Sequence, residues 1–302
     1  MYLHEDKEQF RQAVNMTAFQ FGVIENIVEK DYYVTMILRL LSERMPYAVF
    51  KGGTSLSKCH KAILRFSEDI DIAVDTSLSQ GQKKKLKYII VDIAQKLGLQ
   101  ILNLDETRSR RDYNRYVMAY DSVLAHTDDA IQSAVLLETS FTAVSFPTDY
   151  LNVGSMIGDM MRQEVPEMLE KFYMNPFEMK VQGMDRTLVD KVFAICDYYL
   201  QNRVKKHSRH IYDIYKLLPL VPQEESFKKL VREVRVVRKQ SDICLSAQEG
   251  VEVPDLLNEI INGEIYRDDY QDITMRLLDE NVDYDVAIKA LSDIARSGMF
   301  VS

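Results

Sequence analysis

The run Phe50-Lys-Gly-Gly-Thr-Ser-Leu-Ser-Lys58, followed by Arg65-Phe-Ser-Glu-Asp-Ile-Asp-Ile-Ala-Val74, decides how this chain is read. Ala48, Val49 and Phe50 predict a short apolar strand that breaks at Gly52-Gly53 and enters a helix. The second part predicts a strand in which Asp69 and Asp71 lie two residues apart. Side chains alternate faces along a strand, so both carboxylates share one face while Ile70 and Ile72 point into the core. Neighbouring like charges are destabilising, and they persist where a cation sits between them. Mg²⁺ suits the position, because it is usually held by one or two carboxylates plus a substrate's phosphates.

The Gly-Gly-Thr-Ser turn supplies the complement. Glycines let the backbone approach a ligand, and backbone N–H groups at a helix start attract phosphate oxygens. Thr54 and Ser55 add hydroxyls at the same place. A phosphate cradle followed by an acidic pair on the next strand is the equipment of metal-assisted phosphoryl or nucleotidyl transfer.

These residues also resemble a known family. Lys51-Gly-Gly-Thr-Ser followed by Arg65-Phe-Ser-Glu-Asp-Ile-Asp71 is similar to the AbiEii/AbiGii-type nucleotidyltransferase toxins of the DNA polymerase β-like superfamily. That superfamily's signature is an apolar residue, Gly-Gly or Gly-Ser, a spacer, and Asp-x-Asp. Either half alone is weak, and the ordered pair is specific. The resemblance implies a mixed-sheet nucleotidyltransferase core with flanking helices. It gives Asp69 and Asp71 as metal ligands, with Lys51, Gly52, Gly53, Thr54, Ser55, Arg65 and Ser67 on the nucleotide. The spacer from Gly53 to Asp69 is long for the wider superfamily and suits this branch.

At 302 residues the chain has ample length for a buried core, in one large domain or two ordinary ones. A hydrophobic content of 46% with 28% charged residues is that of a soluble globular protein. No apolar run approaches the roughly 20 residues of a membrane span. Met1 to Arg11 is polar and charged, unlike a secretory signal. Cys59, Cys196 and Cys244 lack Cys-x-x-Cys spacing and predict free thiols in a reducing cytoplasm. The net charge of −8, from 38 basic and 46 acidic residues, argues against nonspecific coating of nucleic acid. It leaves room for local basic clusters, as at Lys83–Lys87, Arg203–Arg209 and Lys228–Lys239.

Taken in order, residues 4–44 predict helix with a break near Gly22. Within it, Glu29-Lys-Asp-Tyr32 resembles a stretch preceding the Gly-Gly motif in the toxin family. A role in the site and a surface-charged helix start explain it equally well. Thr76–Lys96 predicts a helix with a basic outer face, followed by strands near Leu99–Leu104, Tyr113–Tyr120 and Ile131–Glu138. Glu138 ends an apolar run, where a carboxylate is costly unless paired or metal-bound. The superfamily places a third carboxylate on a neighbouring strand, which completes the metal site and can accept the acceptor's proton; Glu138 is the candidate. A strand-end Glu facing water is the plainer reading.

A helix over residues 155–172 and a strand over Phe177–Gln182 follow, and from Asp185 the pattern is helical throughout. The expectation is therefore an α+β fold, with a nucleotidyltransferase domain over residues 1–183 and a helical domain over 184–302 that completes the nucleotide and acceptor cleft. Arg186-Thr-x-x-x-Lys191 resembles a family motif. Thr187 and Ile195, one turn from Lys191, carry no charge, so its ammonium needs a partner from elsewhere. A nucleotide phosphate serves, as would an acid on another element or water. Arg209-His-Ile-Tyr-Asp213 resembles a further motif, with His210 where an Asp often stands; Asp213 matches, and an ordinary Arg209–Asp213 helical ion pair is the alternative. Along residues 228–239 the charge run reads as a solvated face or as a basic cleft.

The leading expectation is a Mg²⁺- or Mn²⁺-dependent nucleotidyltransferase. It moves NMP from an NTP to an acceptor hydroxyl, with Glu138 as base and Lys191 on phosphate. The family resemblance implies a type IV toxin–antitoxin or phage abortive-infection toxin, a separate cognate antitoxin, and RNA, notably the tRNA 3′ end, as acceptor. Nucleotidylation of a small molecule or protein, and a catalytically inactive nucleotide-binding module, are the alternatives.

Overall fold

A computed structural model describes residues 1–109, 111–124 and 132–301. The chain divides into two compact units, Met1–Cys59 with Glu68–Val181, and His60–Ser67 with Gln182–Ser302. The chain thus leaves the first unit between the Gly-Gly and Asp-x-Asp motifs and re-enters it one residue before Asp69.

In the first unit, Asp6 caps α1 (Lys7–Phe21) by accepting from the Gln9 backbone N–H at 3.1 Å. Gly22, at φ +66, ends that helix in the left-handed conformation glycine tolerates. The long helix α2 (Glu25–Arg44) follows. Then come β1 (Ala48–Lys51), α3 (Gly52–Lys58), β2 (Ile70–Val74), α4 (Gln80–Lys96), β3 (Gln100–Ile101), β4 (Tyr113–Ala119), β5 (Ala134–Val144), β6 (Thr148–Val153), α5 (Met156–Glu164), α6 (Met168–Lys171) and β7 (Phe177–Gln182).

The strands make one mixed sheet in the order β3-β4-β5-β2-β1-β7-β6. β1 pairs antiparallel with β2, whereas β2 and β5, and β1 and β7, run parallel. Ile70, Ile72, Tyr116, Met118, Val135 and Leu137 bury one face in a core shared with Tyr32, Met36 and Leu40 of α2. α2 packs on α1, α4, α5 and β5.

Several expected bounds move. α4 starts at Gln80 rather than Thr76, because Ser79 and Gln82 form a capping box. β3 holds only Gln100–Ile101 of the expected Leu99–Leu104. The strand expected from Ile131 runs Ala134–Val144; Ile131 itself lies outside the described residues. The helix expected over 155–172 is split between Glu164 and Met168, where Pro166 lacks the N–H a helix needs. β6 had no counterpart in the sequence reading.

Among the described residues the second unit has no strand outside the last residue of β7. Its helices are α7 (Met184–Leu200), α8 (Arg209–Leu217), α9 (Glu225–Arg238), α10 (Val253–Asn262), α11 (Arg267–Asp272), α12 (Tyr284–Ala287) and α13 (Lys289–Arg296). α7 packs on α8, α9 and α10, and α13 on α8 and α10. The segment His60–Ser67 is tied in by backbone: Phe66 N–H donates to Leu277 O at 2.9 Å, and Asp279 N–H to Leu64 O at 3.0 Å. α9's charge run is partly internal. Arg238 reaches Asp190 at 3.3 Å and Asp197 at 2.7 Å, and Arg235 donates to the carbonyls of Val251 and Phe300.

Candidate active site

The sheet register sets four charged side chains in one row. Lys51 of β1 faces Asp71 of β2, Asp71 faces Glu138 of β5, and Glu138 faces Arg115 of β4. Residues directly opposite each other project to the same face. The row therefore reads basic, acidic, acidic, basic across four adjacent strands. Arg115 Nε lies 3.8 Å from Glu138 Oε1, and Tyr113, two residues along the same face of β4, hydrogen-bonds Glu138. Burial, followed by the charge of Glu138 and that hydrogen bond, pushes the Tyr113 phenol up, so it stays protonated and donates.

Asp71 also meets the Gly-Gly turn. Gly52 has φ +80, and a Cβ built on it would stand 2.0 Å from Asp71 Oδ2. Only a residue without a side chain lets the carboxylate rest there. Lys51, the residue ahead of α3, makes no side-chain cap hydrogen bond. The Ser55 hydroxyl is committed, donating to Gly52 O at 2.9 Å, and it shapes the turn rather than offering a proton outward.

Asp69 lies one residue ahead of β2, not inside the strand as expected. Its Oδ1 is buried without a hydrogen-bond partner. A buried, unpartnered carboxylate oxygen costs several kcal/mol, roughly 2–7 for a polar group and more for a charged one. Among the described residues no group of three or more His, Cys, Asp or Glu side chains is disposed to hold a metal ion. The donor set instead fits a hard divalent cation that takes one or two carboxylates and completes its shell with phosphate oxygens and water.

Lys191, Asp213 and Arg65 form a separate cluster within the second unit. Asp213, wholly buried, takes two hydrogen bonds from Arg65, at 2.7 Å from Nε and 2.8 Å from Nη2, and one from Lys191 Nζ at 2.6 Å. Burial alone would raise the Asp213 carboxyl; Arg65 and Lys191 outweigh it and hold the group well below the usual carboxylate range. Burial pulls the Lys191 ammonium down against the attraction of Asp213. Lys191 thus finds its partner in an acid on another helix, and Asp213 turns to Arg65 and Lys191. Arg65 also donates to Phe66 O at 3.0 Å. Ser67 belongs to the same unit. His210 Nδ1 is sealed from solvent with no partner, and burial keeps its imidazole neutral.

Of four charged residues around the site, Glu68 and Lys58 carried no role in the sequence, and Lys30 and Asp31 stood evenly between a site role and a charged helix surface. Lys30 pairs with Glu68, and Lys58 with Asp31. The available signal was a Glu-Lys-Asp run in the middle of an otherwise apolar helix.

The family model for the nucleotidyl transferase AbiEii toxin, of type IV toxin–antitoxin systems, matches residues 37–293. Among solved structures the chain is similar to MenT4, a nucleotidyltransferase toxin from Mycobacterium tuberculosis H37Rv. The two are 13% identical with a TM-score of 0.51, over 94% of this chain and 88% of that one. At that identity the likeness speaks to the fold. No curated protein matches.

Proposed function

The chain belongs to the AbiEii family of nucleotidyltransferase toxins of type IV toxin–antitoxin systems, and from that premise we propose a divalent-metal-dependent transfer of NMP from an NTP to an acceptor hydroxyl. Asp69 and Asp71 hold Mg²⁺ or Mn²⁺. When bound, such an ion neutralises charge on the transferred phosphoryl group and its leaving pyrophosphate. The backbone of Gly52, Gly53 and Thr54, with Lys51, holds the phosphates, and Ser55 keeps the turn in shape.

Glu138, which the described geometry does not bring into a three-carboxylate metal group, receives the acceptor's proton, and Tyr113 and Arg115 orient it. In the second unit, Arg65, Ser67 and Lys191 are assigned to an anionic nucleotide, and Asp213 orders the two cations by accepting from both. RNA, with the tRNA 3′ end first among candidates, is the acceptor, a cognate antitoxin restrains the enzyme, and the reaction takes place in the cytoplasm. Among the described residues no helix is long and apolar enough to cross a membrane.

The observation that carries this reading is the Asp71 carboxylate seated against Gly52, together with a buried, unpartnered Oδ1 on Asp69 two residues earlier in the chain. The test incubates the purified chain with labelled NTPs, Mg²⁺ and total cellular RNA, with Asp69→Ala in parallel. Label on RNA from the wild type alone supports it. Label on protein or a small molecule moves the acceptor. No transfer and no metal-dependent NTP binding would make the chain a binding module.

A further inference from the structure

Two consecutive residues of α2 reach the two segments that build the site. The Lys30 ammonium, 4% exposed, donates to Glu68, the residue immediately before Asp69. The Asp31 carboxylate accepts from Lys58, the last residue of the helix that Gly52 begins. Its other oxygen accepts the Met156 backbone N–H at 2.8 Å. Successive residues on a helix point about 100° apart, so neighbours can address different segments. Lys58 is also buried.

Stability alone explains these pairs poorly. Buried ion pairs are often no better than packed apolar side chains, because desolvation offsets the attraction. Their return is geometric. α3 is a single short helix, about 10 Å long at 1.5 Å per residue, so pinning its last residue sets where its first turn lies. Pinning Glu68 fixes the chain where it enters the Asp-x-Asp strand.

We propose that Lys30 and Asp31 are positioning residues for nucleotidyl transfer: side by side on α2, one holds the Asp69–Asp71 strand and the other the Gly52 turn, and together they set the separation of the two. The proposal rests on the assignment of Asp69, Asp71 and Gly52 to the site.

The test uses the full chain carrying Lys30→Met, Glu68→Gln, the two combined, or Asp31→Asn, with Asp71→Ala as control. Label transfer, metal-dependent NTP binding and the unfolding midpoint are measured on each. Glu68, a third exposed, and the near-isosteric Asp31→Asn keep the test open if Lys30→Met fails to fold. The expected result is folded protein whose kcat falls about 100-fold, as displacements near 1 Å can produce, with a smaller change in NTP affinity. The combined Lys30→Met/Glu68→Gln variant should be no worse than the poorer single, because both remove one interaction. If Glu68→Gln and Asp31→Asn keep wild-type kcat while Asp71→Ala is dead, this inference falls alone. If Asp71→Ala remains active, the site assignment falls and takes the inference with it.

Discussion

The Asp71 carboxylate occupies the space that any side chain at position 52 would need, with Oδ2 2.0 Å from an ideal Cβ on Gly52. One contact thus joins the turn to the acidic strand. Gly52→Ala carries two penalties: a left-handed backbone, worth about 1–2 kcal/mol for a residue with a Cβ, and displacement of Asp71. Transfer should fall by at least about 100-fold while the unfolding midpoint drops only a few degrees. A folded Gly52→Ala protein with wild-type transfer would show that the contact is incidental.

Asp69 offers a metal-removal experiment. Its buried, unpartnered Oδ1 gains most when a cation arrives. Adding Mg²⁺ with a non-transferable NTP analogue should raise the wild-type unfolding midpoint, and chelator should reverse the rise. At ligand 100-fold above Kd the gain is about 2.7 kcal/mol. Asp69→Asn should lose this response while being at least as stable as wild type without metal, since a buried charge has gone. An unchanged metal response in Asp69→Asn would remove Asp69 from the site.

In the second unit Asp213 accepts from both buried cations, Arg65 and Lys191. Asp213→Asn removes the carboxylate that both cations bond and should cost about 3–5 kcal/mol. Its acid dependence has a definite sign. The folded carboxyl lies far below the unfolded value of about 3.9, so the unfolded chain binds the proton first. The stability that Asp213 contributes is complete above that value and is lost as pH falls below it. Denaturant titrations between pH 5 and 2.5 should show a steeper loss for wild type than for Asp213→Asn.

Much of the site was legible because it is local. The two-residue spacing of Asp69 and Asp71 and the Gly-Gly break reflect backbone geometry that a sequence states directly. What stayed hidden depends on distant segments. Lys191's helix neighbours carry no charge, and its partner Asp213 is 22 positions away, brought in by helix packing. Arg209 and Asp213 have ion-pair spacing, yet three dimensions offer Asp213 two better donors. Lys30 and Asp31 read equally well as site residues or as solvent-facing charges until Glu68 and Lys58 are beside them. β6, an edge strand with Asp149 and Tyr150 exposed, has too little apolar alternation to announce itself.

His207 and His210 make a second acid-sensitive element, acting at milder pH. The His207 ring stacks on Tyr198 with centroids 3.5 Å apart and planes 8° from parallel, and His210 lies parallel on the same stack. Burial, then the nearby Arg209 and Arg203, lowers the His207 imidazole from 6.5 to about 4; burial and Lys191 take His210 well below its ordinary value. Both rings are therefore neutral when folded and gain a proton more readily when unfolded. Their contribution is fully present above about pH 6.5 and declines as pH falls toward 4. His207→Phe keeps a ring for the stack and removes the proton site. The unfolding midpoint of that variant should change less than wild type's between pH 7 and pH 5. Parallel loss in both proteins would mean that His207 does not sense acid here.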